Sequence, residues 1–226
     1  MRSPAQECAC SCMGVLAMAE TDDATLALLR RAADGDQEAL TEVLSAHRER
    51  LKRMVRLRLN QRLKGRVDES DVLQDVLLDA SRRLRDYVAD PNGPFFLWLR
   101  HIAGRKLIDI HRRHLGADKR DAGLEISLHR GPYPAASSAS LAAQLLGRLT
   151  SPTHGAMRAE LRIRVQEALN SLDPLDREVL ALRHYEQLSN VEVAEVLEIG
   201  TSTASSRYLR ALKKIKDILA EGSDLL

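Results

Sequence analysis

The sequence predicts an all-α protein built from two small helical domains joined by a long linker. Of its 226 residues only 3% are aromatic, while Leu, Ala, Arg and Glu abound, a mix that favours helices over strands. Apolar residues recur three and four apart in one segment after another, the spacing of helices with one buried face. Between residues 116 and 157 that pattern stops. Gly116, Gly123, Gly131, Pro132, Pro134, Pro152, Gly155 and the run Ser137-Ser138-Ala139-Ser140 take over. A connection of that length without structure is unusual inside one compact domain, so it reads as a linker between two.

The first twenty residues read as a disordered tail, because Pro4 and Glu7 interrupt an apolar run already too short for a signal peptide. Met13 and Met18 offer later start codons. All three cysteines lie in Cys8-Ala9-Cys10-Ser11-Cys12, which gives no disulfide framework and fits a reducing cytosol. Thr21-Asp22-Asp23 looks like the cap of the first helix.

From Leu40 to Val55 the positions Leu40, Val43, Leu44, Leu51, Met54 and Val55 mark a long amphipathic helix. Arg48, Arg50, Lys52, Arg53, Arg56, Arg58, Arg62, Lys64 and Arg66 make its other side and the following turn a basic stripe, opposed by Glu49 alone. A solvated face and a ligand-binding one explain such a stripe equally well. Asp68-Glu69-Ser70-Asp71 then suits a helix N-terminus. Val72, Leu73, Val76, Leu77, Ala80 and Leu84 follow at helical spacing, and Asp75 and Asp79 exceed what the helix dipole explains. Asp90-Pro91-Asn92-Gly93-Pro94 is a loop, since prolines and glycine stop a helix. A third helix starts near Phe95, with Phe95, Trp98, Leu99, Ile102 and Ala103 expected in the core and Arg100, Arg105, Lys106, Arg112 and Arg113 supplying positive charge.

Within the linker, Ala139 to Leu149 has the pattern of a short helix. Beyond it, Leu161, Val165, Ala168, Leu169 and Leu172 predict a helix that stops at Asp173-Pro174, where Asp caps and Pro opens the next helix with Val179, Leu180 and Leu182. Ser189 and Glu192 form a capping box for a short helix carrying Val193, Ala194, Val196 and Leu197. Thr201 or Ser202 caps the last helix, whose buried side is Ala204, Tyr208, Ala211 or Leu212, Ile215 and Leu219. Gly200 is expected to supply the positive φ of the turn between them. A short helix, a tight turn and a longer helix make a helix-turn-helix, in which the second helix enters the major groove of DNA. Its leading residues Thr203, Ser205, Ser206 and Arg207 suit base edges, and Arg210, Lys213, Lys214 and Lys216 suit phosphates.

Four passages in order resemble the bacterial sigma factors of the extracytoplasmic-function (ECF) class: DESDVLQDVLLDA at 68–80, FFLWLRHIAGRKLIDIHRR at 95–113, LDPLDREVLALRHYEQLSNVEVAEVL at 172–197 and TSTASSRYLRALKKIK at 201–216. The long linker, with HRRHLGADKRDAG and SSASLAAQLLGRLTSPT, is most similar to planctomycete members. The resemblance implies a transcription initiation factor with sigma domain 2 at 21–115, a linker at 116–157 and sigma domain 4 at 158–222. It implies that Asp68, Asp71, Leu73, Gln74 and Asp75 dock on the β′ clamp helices of core RNA polymerase, with the β flap as a second contact. Arg100, Arg105, Lys106, Arg112 and Arg113 would hold the minus-ten element while it is opened and a base is extruded into a pocket. Thr203, Ser205, Ser206, Arg207, Arg210, Lys213 and Lys214 would bind the minus-thirty-five element. Promoter DNA and an anti-sigma factor are the further partners it implies, with no membrane and no cofactor. The chain departs from the family pattern at Gly104 and Arg105, at Ser202, Ala204 and Ser205, and at Glu198, where the family has glycine.

An enzyme is disfavoured. His111 and His114 near Asp109 lack a third metal ligand of matching spacing, and no phosphate loop or nucleophile elbow is present. A helix-turn-helix regulator that dimerises on an operator is the alternative reading, against which the acidic helix and the Phe95–Arg113 segment argue.

Overall fold

The computed structural model describes residues 23–63, 65–115, 136–149 and 155–221. The amino-terminal tail with its three cysteines and most of the linker lie outside these residues. The described chain forms nine α-helices, with no strand among the described residues: α1 (Asp23–Ala33), α2 (Gln37–Arg58), α3 (Glu69–Ala89), α4 (Phe95–Leu115), α5 (Ser138–Leu149), α6 (Gly155–Asn170), α7 (Pro174–Leu180), α8 (Asn190–Leu197) and α9 (Thr201–Glu221). The all-helical class expected from composition and periodicity is what the chain adopts. It divides into two compact units, Met1–Lys52 with Val67–Lys106, and Arg53–Arg66 with Leu107–Leu226.

The first unit packs α1, most of α2, α3 and α4 as far as Lys106. Leu29, Val43, Leu51, Val72, Leu73, Val76, Leu84, Phe95 and Leu99 are buried in it, each contributing roughly 1.5–3 kcal/mol by leaving water. Asp36 sets the corner between α1 and α2. Its Oδ1 accepts the N–H groups of Glu38 and Ala39 at 3.0 and 3.1 Å, and its Oδ2 pairs with Arg31 at 2.6 Å. Asp68 caps α3 by accepting the Ser70 N–H at 2.6 Å, as its acidic start predicts. The Asp90–Pro94 loop turns at Gly93, whose φ of 97° suits only glycine without strain. The Tyr87 hydroxyl donates to the Gly93 carbonyl at 3.0 Å and fixes the loop against α3.

In the second unit, the helix expected within the linker exists, one residue longer than predicted, and it is built into the core. Leu141 and Ala142 of α5 are buried with Leu57, Val165, Ala168, Leu169, Leu172, Tyr185, Ala211 and Ile215. The Tyr185 hydroxyl donates to the Leu141 carbonyl at 2.8 Å. Asp173 caps α7 with Pro174 following, and Ser189 and Glu192 close the expected capping box on α8. After α7 the backbone widens into a π-helical turn at Ala181–Tyr185.

That turn delivers Glu186 to a charged interior. Arg58, from the last turn of α2, has a side chain 1% exposed and pairs with Glu186, 0% exposed, at 2.6 Å and with Glu178 of α7. Burial works against the Arg58 charge, but the two carboxylates outweigh it and raise its pKa further. One member of the basic stripe is therefore interior, and another, Arg53, donates to Gln187.

Candidate nucleic-acid interface

Three surfaces gather the residues that the sequence singles out. The first is the start of α3, where Asp68, Asp71, Gln74 and Asp75 are exposed. Leu73, on the same helix, is 1% exposed and faces the core. Asp75 forms an ion pair with Lys106 of α4 at 2.6 Å. Lys106 is thus engaged by the acidic edge in this structure, while Asp68 caps α3 and Asp71 stands exposed beside it.

The second surface lies where α3 passes into α4. Arg83, Asp86, Tyr87, Asp90, Asn92 and Trp98 line a cavity of about 370 Å³. Trp98, expected in the core, is only half-buried. It stacks on Phe95 with ring centroids 5.5 Å apart, lies 4.8 Å from the Tyr87 ring, and leaves one side as the cavity wall. Burial pushes the Tyr87 hydroxyl up to about 12, so it stays a hydrogen-bond donor across the ordinary pH range. The wall is flat and apolar, and the rim carries acceptors and one guanidinium.

Along α4, Arg105, Arg112 and Arg113 are exposed, whereas Arg100 is 2% exposed and points its charge inward. Burial, then the charges of Arg105, Arg100 and Arg83, lower the pKa of His101. His111 is 4% exposed, and its Nε2 accepts the Asn60 N–H at 3.3 Å. It serves the fold as an acceptor, and no group of three or more His, Cys, Asp or Glu side chains that could hold a metal ion comes together among the described residues.

The third surface is the helix-turn-helix of α8 and α9. The positive φ of its turn falls on Glu198, at 53°, and Gly200 does not supply it. The Glu198 N–H bonds back to Ala194 and Glu195, so the αL cap is made without the glycine that the family uses. Ala204, Ala211 and Ile215 bury the inner side of α9, and Thr203, Ser205, Ser206, Lys213 and Lys214 stand exposed. Lys214 donates to the Ser171 carbonyl, and Arg207 and Arg210 are held by a carboxylate. Both reach back to Asp176 in the first turn of α7, at 2.6 Å from Arg207 and at 2.8 and 2.9 Å from Arg210. Burial disfavours the Asp176 charge, but the hydrogen bonds and charges of the two arginines outweigh it and hold its carboxyl below the ordinary range. Sequence pattern marks Asp176 only as a first-turn acid, and nothing in its spacing announces the two partners.

The carboxyl-terminal helices match the family model described as Sigma-70, region 4, over residues 162–215. Over 200 residues the chain is 31% identical to the ECF RNA polymerase sigma factor SigD of Mycobacterium tuberculosis, which covers 88% of this chain and 85% of the relative. The chain belongs to the ECF sigma factor family. It is also 29% identical over 210 residues to the RNA polymerase sigma factor CnrH of Cupriavidus metallidurans, covering 90% of this chain and 98% of that one. The solved structure of CnrH in complex with the cytosolic domain of CnrY superposes with a TM-score of 0.51 at 26% identity, over 88% of this chain and 99% of that chain. Sigma factors are transcription factors without enzymatic activity that bind core RNA polymerase and promoter DNA, and this ECF sigma factor serves transcription initiation. No helix among its described residues is long and apolar enough to cross a membrane.

Proposed function

We propose that residues 21–115 act as sigma domain 2, residues 158–222 as sigma domain 4, and residues 116–157 as the connection between them, whose helix α5 is anchored in the core of the second unit. In this reading the exposed edge of Asp68, Asp71, Gln74 and Asp75 docks on the β′ clamp helices of core polymerase, with Leu73 holding the helix from the core side. The carboxyl-terminal helices meet the β flap. Arg105, Arg112 and Arg113 track the strand backbone at the minus-ten element, with Lys106 joining them when Asp75 turns to the polymerase. Thr203, Ser205 and Ser206 read the minus-thirty-five element, and Lys213 and Lys214 take its phosphates. The factor works in the cytoplasm, the long linker marks a planctomycete-type member, and a protein inhibitor of the anti-sigma kind is a further partner.

The observation that carries promoter opening is the cavity walled by Tyr87 and Trp98. Its volume accommodates one nucleobase, the aromatic wall offers a stacking surface, and Asp86, Asp90 and Asn92 offer polar partners to the base edge. Stacking there recovers ~1–3 kcal/mol, enough to offset the unstacking of one base from the duplex. The test is permanganate reactivity of minus-ten thymines in the holoenzyme. Trp98→Ala is expected to lose most of that reactivity while still binding core polymerase. Undiminished strand opening by Trp98→Ala contradicts the assignment.

A further inference from the structure

The arginines of the recognition helix are held by a side chain of another helix, whereas the Ser206 hydroxyl bonds within α9, to the Ser202 carbonyl. Arg207 and Arg210 leave α9 one turn apart on its α7 side, and both end on one carboxylate whose side chain is 6% exposed. The Oδ1 of Asp176 accepts from Arg207 Nη1 and Arg210 Nη2, and its Oδ2 accepts from Arg210 Nε. Arg207 also lies 3.5 Å from Asp173. The support is buried, yet the Arg210 side chain remains 60% exposed.

Of the five N–H donors of a guanidinium, Asp176 engages two on Arg210, at Nε and at one side of Nη2. Three remain, and two of them, one on each terminal nitrogen, form the parallel pair that fits the O6 and N7 of guanine. Asp173, Asp176, Arg207 and Arg210 together carry no net charge, which leaves them a weak attractor of phosphate but preserves the donor geometry. An arginine already held in place loses less freedom on engaging a base than a free one does. The exposed Lys213, one turn further along α9, is left to supply attraction to the backbone, while the neighbouring Lys214 donates to the Ser171 carbonyl.

We propose that Asp176 is a positioning residue for promoter specificity, holding Arg210, with Arg207 as a brace, so that the outer edge of the Arg210 guanidinium reads a guanine in the upstream promoter element. This rests on α9 being the helix that reads the minus-thirty-five element. Asp176 itself touches no DNA.

The test uses holoenzyme assembled from the full chain and core polymerase, offered promoter duplexes with a randomised minus-thirty-five element at several salt concentrations. The wild type is expected to select guanine at one position. Asp176→Asn is expected to lower that preference about tenfold, leave the other positions unchanged, and steepen the salt dependence of binding by about one unit as a released arginine finds a phosphate. Arg210→Lys, which keeps the positive charge beside Asp176 and is checked for folding by circular dichroism, is expected to lose the same single preference. A folded Asp176→Asn variant with wild-type preferences, or one weakened equally on every sequence, overturns the proposal. So does an Arg210→Lys variant that still selects guanine. A wild type that selects no base at all in the element overturns the reading of α9 and this inference together, whereas a wild-type preference for bases other than guanine overturns this inference alone.

Discussion

Replacing Arg58 by methionine tests how the second unit holds together. The substitution keeps an unbranched chain of similar bulk but removes the charge between Glu178 and Glu186. Glu186 is 0% exposed, Arg58 1% and Glu178 20%, so Glu178 can reach water and Glu186 cannot. An orphaned buried charge costs about 3–5 kcal/mol, against ~0–1 kcal/mol for the loss of an exposed ion pair. Domains are stable by only about 5–15 kcal/mol, so the loss is a large part of what this unit has. Urea unfolding followed by far-UV circular dichroism reads it directly. With a slope of about 2 kcal/mol per molar urea, the midpoint falls by roughly 1.5 M or more. Adding Glu178→Gln and Glu186→Gln to Arg58→Met removes the stranded charges and is expected to recover most of the loss. A drop below about 1 kcal/mol in the single variant, or no recovery in the triple, refutes the reasoning that the triad is desolvated and coupled.

Two further outcomes follow from single residues. Burial lowers the pKa of His111 below its ordinary 6.5, so its neutral form is favoured in the folded chain. Stability contributed by that site is intact above the unfolded pKa and is lost as pH falls below it toward the folded value. Thermal melts from pH 7.5 to 5 are expected to show this decline and His111→Gln, which still accepts from Asn60, to flatten it; an equal decline in both contradicts the assignment. Glu198→Gly places the residue suited to a left-handed cap where φ is 53° and is expected to stabilise the second unit by up to about 1 kcal/mol. A lower melting temperature in that variant argues that the Glu198 side chain contributes more than its backbone strain costs.

Periodicity and capping chemistry made most of the helices legible. The capping box of Ser189 and Glu192, the Asp173-Pro174 start and the Asp68 cap are local signals written in a few adjacent residues, and the structure realises each. Long-range pairing leaves no such mark. Arg58 looked like part of a solvated or ligand-binding stripe because its partners stand 120 and 128 positions away. Asp176 is likewise joined to Arg207 and Arg210 across 31 and 34 positions. Trp98 carries the right spacing for the core, yet it shares a cavity with Asp86, Asp90 and Asn92, polar residues of α3 and the following loop, in place of a further apolar side chain. Glu198 shows the opposite failure: a nearby glycine invited the positive φ, but the number of residues in the turn places the left-handed cap two positions earlier. Most residues that the family resemblance singles out are exposed, but the resemblance could not tell the exposed Asp71 and Arg105 from the buried Leu73 and Arg100.

In the proposed function this chain engages core RNA polymerase through the acidic edge of α3. Asp71 and Asp75 are both exposed, so reversing their charge leaves the core untouched. Purified wild type is expected to co-elute with core RNA polymerase on a sizing column, and a folded Asp71→Arg, Asp75→Arg double variant is expected to elute alone. Wild-type protein that fails to associate with core polymerase, and instead binds operator DNA as a dimer, contradicts the account.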